Sequence, residues 1–172
     1  MAAAFSRAYI GLGSNLQDPR TQVEQGLAAL ARLPESRCVA CSALYGSRPL
    51  GPLPQPDYVN AVAALDTRLP PHALLDCLQA LEERQGRVRD GVRWGPRVLD
   101  LDLLLYDALI LDDPRLILPH PGLSQRDFVL YPLYEIAPQL NIPQLGSLEL
   151  LVGRCRDRGL SRMTANDAAP TS

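Results

Sequence analysis

The spacing of apolar residues changes several times along the chain, and each change marks an element. Residues 8–12 form a short apolar run ending in Gly11-Leu12-Gly13-Ser14-Asn15, which predicts a strand entering a turn with permissive backbone angles. Asp18 offers an N-cap and Pro19 a first-turn residue; Val23, Leu27, Leu30 and Ala31 then recur at helical spacing up to Pro34. Residues 37–45 read as a second strand and residues 58–69 as a third, with Val59, Ala61, Ala63 and Leu65 on one face. Between them Pro49, Pro52, Pro54 and Pro56 exclude helix and central strand, and predict a stiff loop of the kind that walls a binding site. Pro70-Pro71 opens a second helix, in which Leu74, Leu75, Leu78 and Leu81 make the buried stripe while Asp76, Gln79, Glu82 and Glu83 lie off it.

Gly86 closes that helix and begins the stretch GRVRDGVRWGPRVLDLDLLLY, residues 86–106. Its first half is cationic and jointed, with Arg87, Arg89, Arg93, Arg97, Trp94 and three glycines. From Val98 the pattern alternates and then becomes continuously apolar, as in a strand entering a core that is not an edge strand. Asp100 and Asp102 share one face of it, about 6.5 to 7 Å apart. A hairpin over 107–118, a loop at 118–122, an apolar helical segment over 128–136 containing Pro132, and a short helix at 148–152 follow. The order is the βαββαβ of ferredoxin-like folds. The expected class is therefore α/β (α+β): a mainly antiparallel sheet with helices on one face, plus an extra hairpin and C-terminal helices. The other face is left for loops and ligands. One domain over residues 1–160 and a disordered tail over 161–172 complete the expectation.

Composition changes this picture little. At 172 residues and 47% hydrophobic content the chain can bury a core without disulfides. A net charge of −2 gives no general attraction to nucleic acid or anionic membrane, so neither is an expected partner. All 17 basic residues are arginine, which excludes a P-loop lysine. Cys38 and Cys41 form a lone CxxC inside a strand-like segment, read as strand cysteines. There is no secretory leader pattern and no apolar run near 18 residues, so the expectation is a cytoplasmic protein. GLGSNL lacks the third glycine of a dinucleotide fingerprint.

Candidate chemistry sits in a few places, each with a plainer alternative. Asp100 and Asp102 supply the carboxylate pair a hard cation such as Mg²⁺ takes alongside water and substrate phosphates; the alternative is the solvated face of an edge strand. The arginines suit phosphoryl transfer, whose charge fixed cations stabilise, on a loop whose glycines let it open and close; a solvated basic turn is the alternative. Asn60, with a donor and an acceptor, suits the edge of a planar heterocycle that Tyr58 and Phe128 would sandwich; singly, each is as readily a core residue. His120, held between prolines, offers a donor to phosphate or is simply a surface histidine. Competing readings of the whole are a noncatalytic module binding nucleotide or RNA, and a Mg²⁺-dependent phosphohydrolase.

YIGLGSN, RPLGPLPQPDYVNAV, GRVRDGVRWGPRVLDLDLLLY and LPHPGLSQRDFVLYPLYEIAP resemble the motifs of the 6-hydroxymethyl-7,8-dihydropterin pyrophosphokinase family, in order, over residues 9–138. The resemblance implies a ferredoxin-like fold, two Mg²⁺ ions, and transfer of the β,γ-diphosphate of ATP to the pterin hydroxymethyl group in folate biosynthesis. Matched by position, Asp100 and Asp102 are its metal ligands and Arg87 and Arg97 its catalytic arginines. Gln79, Glu82, Arg89, Arg93, Trp94, Leu103, Arg115, His120 and Arg126 fall on the ATP side. Ser47, Leu50, Tyr58, Asn60, Trp94, Asp100 and Phe128 fall on the pterin side. ATP and the pterin are the expected partners of a monomer. Arg48, Ile117 and Pro121 depart from the pattern of enterobacterial members, and no side-chain role is carried to them.

Overall fold

The computed structural model of the chain describes residues 4–48, 57–86, 98–156 and 159–164. β1 (Ser6–Ser14), α1 (Pro19–Leu30), β2 (Ser36–Cys41), β3 (Tyr45–Ser47), β4 (Tyr58–Thr67), α2 (Pro71–Arg84) and β5 (Asp100–Tyr106) follow in order. After them come the hairpin β6 (Leu111–Asp112) and β7 (Ile117–Leu118), α3 (Asp127–Ile136), the hairpin β8 (Asn141–Ile142) and β9 (Gly146–Ser147), α4 (Leu148–Arg154) and β10 (Ser161–Arg162). The main sheet runs β10-β3-β4-β1-β5, with β2 also paired to β4, and every pairing is antiparallel. With β2 and β3 counted as two pieces of one strand, this is the βαββαβ order.

Alternation along the strands separates two apolar clusters. Ile10, Leu12, Ala61, Ala63, Leu65, Leu101 and Leu103 pack with Val23 and Leu30 of α1 and with Leu74 and Leu78 of α2. Tyr9, Val62, Ala64, Leu104 and Leu105 point the other way and pack under Val129, Leu130 and Leu133 of α3. The second face is thus only partly free: α3 covers one half of it, and the half beyond Val62 remains for a site.

Several local expectations need correction. The glycine motif is strand, since β1 continues to Ser14. Asp18 occupies the N-cap position with φ 61°, and its carboxylate accepts the Thr21 hydroxyl (2.7 Å) instead of a backbone N–H. The strand predicted over 37–45 breaks at Ser42, whose N–H and Oγ both engage the backbone of Val62 and interrupt the regular ladder. β5 is the terminal strand of the sheet, not an interior one. Its leucines are buried because clusters cover both its faces, and the His120 N–H takes the Leu104 carbonyl on its outer side (3.0 Å). Finally, the boundary expected at Ser161 falls on β10, which adds to the edge of β3. Among the described residues no helix is long and apolar enough to cross a membrane.

Candidate active site

Register alone brings the candidate residues together. In β1, Gly11 and Gly13 alternate with the core residues Ile10 and Leu12. Gly13 pairs with Asn60 of β4 on one side and Asp100 of β5 on the other, while Gly11 pairs with Val62 and Asp102. Directly opposed residues share a face, so Asn60, Asp100 and Asp102 flank a strip of bare backbone. A Cβ on Gly13 would lie 3.1 Å from Asn60 Oδ1, and one on Gly11 3.5 Å from the Leu104 side chain. The two glycines are the floor of the site. The signal was present in the sequence as glycines two apart within an apolar run, but it reads equally well as a turn.

Above this floor lies a cavity of about 280 Å³ lined by Ser47, Tyr58, Asn60, Asp100, Asp102 and Phe128, with Arg48 and Arg126 among its walls. Ser47 comes from β3, where it pairs with Tyr58. Its Oγ accepts from Asn60 Nδ2 (2.7 Å), which turns the Asn60 Oδ1 toward Gly13 as an acceptor over the floor. Burial, and then the charge of Asp100, push the Tyr58 hydroxyl pKa up, so it remains a donor. Phe128 stands in the first turn of α3. The Arg126 guanidinium lies 5.8 Å from its ring centroid and folds over Gly122, where a Cβ would come within 2.7 Å of Arg126 Nε. Arg126 therefore borders the cavity that holds the pterin-side residues, although its motif places it on the ATP side. Arg48, given no role from sequence, lines the same cavity.

A second cavity, about 260 Å³, is lined by Leu103, Arg115, Ile117, His120 and Pro121, and again by Asp102. Asp102 thus belongs to both cavities. Arg115 Nη2 donates to Asp76 Oδ1 (2.6 Å) and to Gln79 Oε1 (3.5 Å), so Gln79, exposed on α2, helps to hold this cation at the rim. His120 Nδ1 accepts the Gly122 N–H (3.1 Å), which leaves the proton of the neutral ring on Nε2. Burial lowers the His120 pKa, with Asp102 opposing and Arg126 reinforcing that shift, so the neutral ring is favoured.

Glu82 behaves differently from its predicted place off the helical stripe. It is 5% exposed, and its Oε2 accepts the N–H of Leu101, between the two aspartates (3.1 Å). A carboxylate at this spot braces β5 from beneath. Leu50, Arg87, Arg89, Arg93, Trp94 and Arg97 lie outside the described residues. Among the described residues no group of three or more His, Cys, Asp or Glu side chains could hold a metal ion.

The geometry combines a heterocycle-sized cavity, a second cavity edged by a cation and a histidine, and the Asp102 carboxylate at their junction. Residues 9–138 match the model of the 7,8-dihydro-6-hydroxymethylpterin-pyrophosphokinase (HPPK) family. The chain belongs to this family. It is 55% identical over 159 residues to the 2-amino-4-hydroxy-6-hydroxymethyldihydropteridine pyrophosphokinase of Pseudomonas aeruginosa, covering 92% of this chain and 98% of that one. The enzyme of the same description from Haemophilus influenzae is 47% identical over 156 residues, covering 91% and 97%. Among solved structures, HPPK-DHPS in complex with substrates superposes with a TM-score of 0.70 at 11% identity, covering 88% of this chain and 43% of that one. Wild-type Plasmodium falciparum HPPK-DHPS with pteroate gives 0.69 at 12% identity, covering 89% and 43%. At such identities the superpositions carry the HPPK fold, and the chain spans less than half the length of those two-part proteins. The family's pyrophosphokinase character follows from the sequence relatives.

Proposed function

We propose that this chain transfers the β,γ-diphosphate of ATP to the hydroxymethyl group of 6-hydroxymethyl-7,8-dihydropterin, giving AMP and the pterin diphosphate of folate biosynthesis. The observation that carries the reading is Asp102, shared by two cavities of complementary chemistry. One offers an oriented amide, a phenol and an aromatic ring to a planar heterocycle. The other offers Arg115 and a neutral His120 to phosphate.

Asp100 and Asp102 fit hard divalent cations, which take one or two carboxylates and complete their shell with substrate oxygens. Two Mg²⁺ ions would be held by this pair together with the triphosphate, and bound there they supply neutralisation of phosphate charge. The chain's own residues do the rest. Asn60, Tyr58 and Phe128 hold the pterin against the glycine floor with its hydroxymethyl group toward the aspartates. The hydroxymethyl oxygen forms its bond to the β-phosphorus as the bond from that phosphorus to the α–β bridging oxygen breaks. AMP departs with the bridging oxygen, and the hydroxyl proton passes to solvent. Among the described residues that line the cavity, Asp100 and Asp102 are the metal-holding pair and the others offer no strong base, so positioning and electrostatics dominate. His120 Nε2–H and Arg115 serve as phosphate donors, and Arg87 and Arg97, by their motif positions, meet the charge developing on the leaving group.

Incubation with ATP, Mg²⁺ and the hydroxymethyl dihydropterin should release AMP; ADP, or AMP formed without pterin, overturns the reading. Asp102→Asn should lower kcat by about 10²-fold or more, given the size of electrostatic contributions at such sites. Retention of near wild-type turnover would remove the aspartate from the mechanism.

A further inference from the structure

The two walls of the 280 Å³ cavity come from different layers: Phe128 from α3, Ser47 and Tyr58 from β3 and β4. One residue ties those layers together. Glu135, near the end of α3, accepts the Ala43 N–H on Oε2 (2.8 Å) and the Tyr45 hydroxyl on Oε1 (2.6 Å). Ala43 and Tyr45 lead directly into Ser47, which orients Asn60. β10 closes the other side of β3. Ser161 and Arg162 pair with Gly46 and Tyr45, the Met163 N–H bonds the Leu44 carbonyl (2.7 Å), and Arg162 Nε lies 3.8 Å from Glu135 Oε1.

We propose that Glu135, Tyr45 and the β10 segment form a clamp that sets the width of the acceptor cavity, making Tyr45 and Glu135 positioning residues for the pterin. The inference rests on the function proposed above. Physically, a flat ring gains from both faces only if the walls stand at van der Waals spacing, and a gap of 0.5 to 1 Å forfeits roughly a quarter to a half of each contact. β3 is only three residues long, so its position is not fixed by its own ladder with β4 alone. A carboxylate taking a backbone donor and a phenol fixes it relative to α3 through charge-assisted bonds. The Tyr45 hydroxyl keeps its proton under assay conditions, because burial and the bond to Glu135 push its pKa up to about 12. Neither residue lines the cavity, which separates the effect on spacing from direct contact.

The test uses the full chain as wild type, Tyr45→Phe, Glu135→Gln, Glu135→Ala and Met163→Pro. Equilibrium binding of the hydroxymethyl dihydropterin is followed by its fluorescence, with Mg²⁺ and a non-hydrolysable ATP analogue present, alongside KM for both substrates and kcat. Tyr45→Phe and Met163→Pro should weaken pterin binding about 5- to 10-fold with ATP KM changed less than about twofold, the split expected of lost acceptor positioning. Glu135→Ala should do the same or more. Glu135→Gln, able to serve only one of the two donors, should fall between. Unchanged pterin binding in Tyr45→Phe, or a parallel rise in ATP KM, overturns the clamp. Should Glu135→Ala not fold, Tyr45→Phe decides, since it deletes one hydroxyl. Pterin-dependent AMP release with unaffected variants defeats the clamp alone, whereas absence of pterin binding by the wild type defeats both it and the proposed function.

Discussion

A single methyl group at Gly13 would reach the Asn60 amide oxygen at 3.1 Å, closer than most side-chain contacts allow. Gly13 lies in a strand, so alanine there is locally compatible with folding. Gly13→Ala should therefore leave the melting temperature within a few degrees while raising pterin KM by about tenfold, as the amide swings away from its bond to Ser47. Equal losses of stability and affinity would point to a packing defect instead. Residue-level placement was legible wherever it coincided with alternation: Asp100 and Asp102 stood out because leucines flank them, and they share one face beside the glycines. Glu82 did not, because four leucines already accounted for the buried face of its helix, and its strand partner Leu101 is distant in sequence. Arg48 gave no signal, since its relevance comes from the position of the end of β3 beside Tyr58 and Phe128.

Elements, in turn, were read well where period was strong and poorly where a side chain replaced a backbone partner. α1, α2 and the apolar α3 all fall on their predicted segments, Pro132 included. The break between β2 and β3 came from Ser42 bonding the backbone of Val62 in place of the regular ladder, a competition that serine offers at many positions without consequence. Between α2 and β5, Glu82 is the joint that holds the aspartate strand to its supporting helix. Glu82→Ala leaves the buried Leu101 N–H without this acceptor and should cost about 1 to 3 kcal/mol in denaturant unfolding. A stability equal to wild type would mean that the joint is dispensable and that β5 is held by its leucines alone.

For the molecule as a whole, the candidate site occupies one end of the sheet and electrostatic stitching the other. At the far end, Asp66 of β4 accepts Arg7 Nε of β1 (2.6 Å) and Arg37 Nη2 of β2 (3.4 Å), and Phe5 stacks between Arg37 and Arg68. The hydrogen bond from Arg7 first, then the two arginine charges, hold the Asp66 pKa below its ordinary value against an opposing effect of burial. A lowered carboxylate pKa stabilises the fold above the unfolded value near 3.9, and that stabilisation disappears as pH falls through the folded value. Asp66→Asn should therefore be less stable than wild type at pH 7, by at most about 1 kcal/mol since both arginines meet solvent, with the difference shrinking in thermal melts as pH falls through the lowered Asp66 value. A difference that persisted in acid would assign the effect to hydrogen bonding and not to charge. The βαββαβ order was readable in advance from the alternation of strand and helix patterns, but the edge position of β5 and the addition of β10 were not, because strand pairing is non-local. The partial cover of the second face by α3 was not, because nothing local to residues 127–136 names the strands beneath them.

The interleaving of Asp100 and Asp102 with Leu99, Leu101 and Leu103 has a genetic corollary. Strand side chains alternate with a period of two, so losing or gaining one codon in this segment would carry the carboxylates into the leucine core and the leucines onto the glycine floor together. Substitutions here can be graded in their effects, but frameshift-neutral insertions and deletions of single residues cannot. Length variation in this protein is accordingly expected in its connections, with β5 held at constant length.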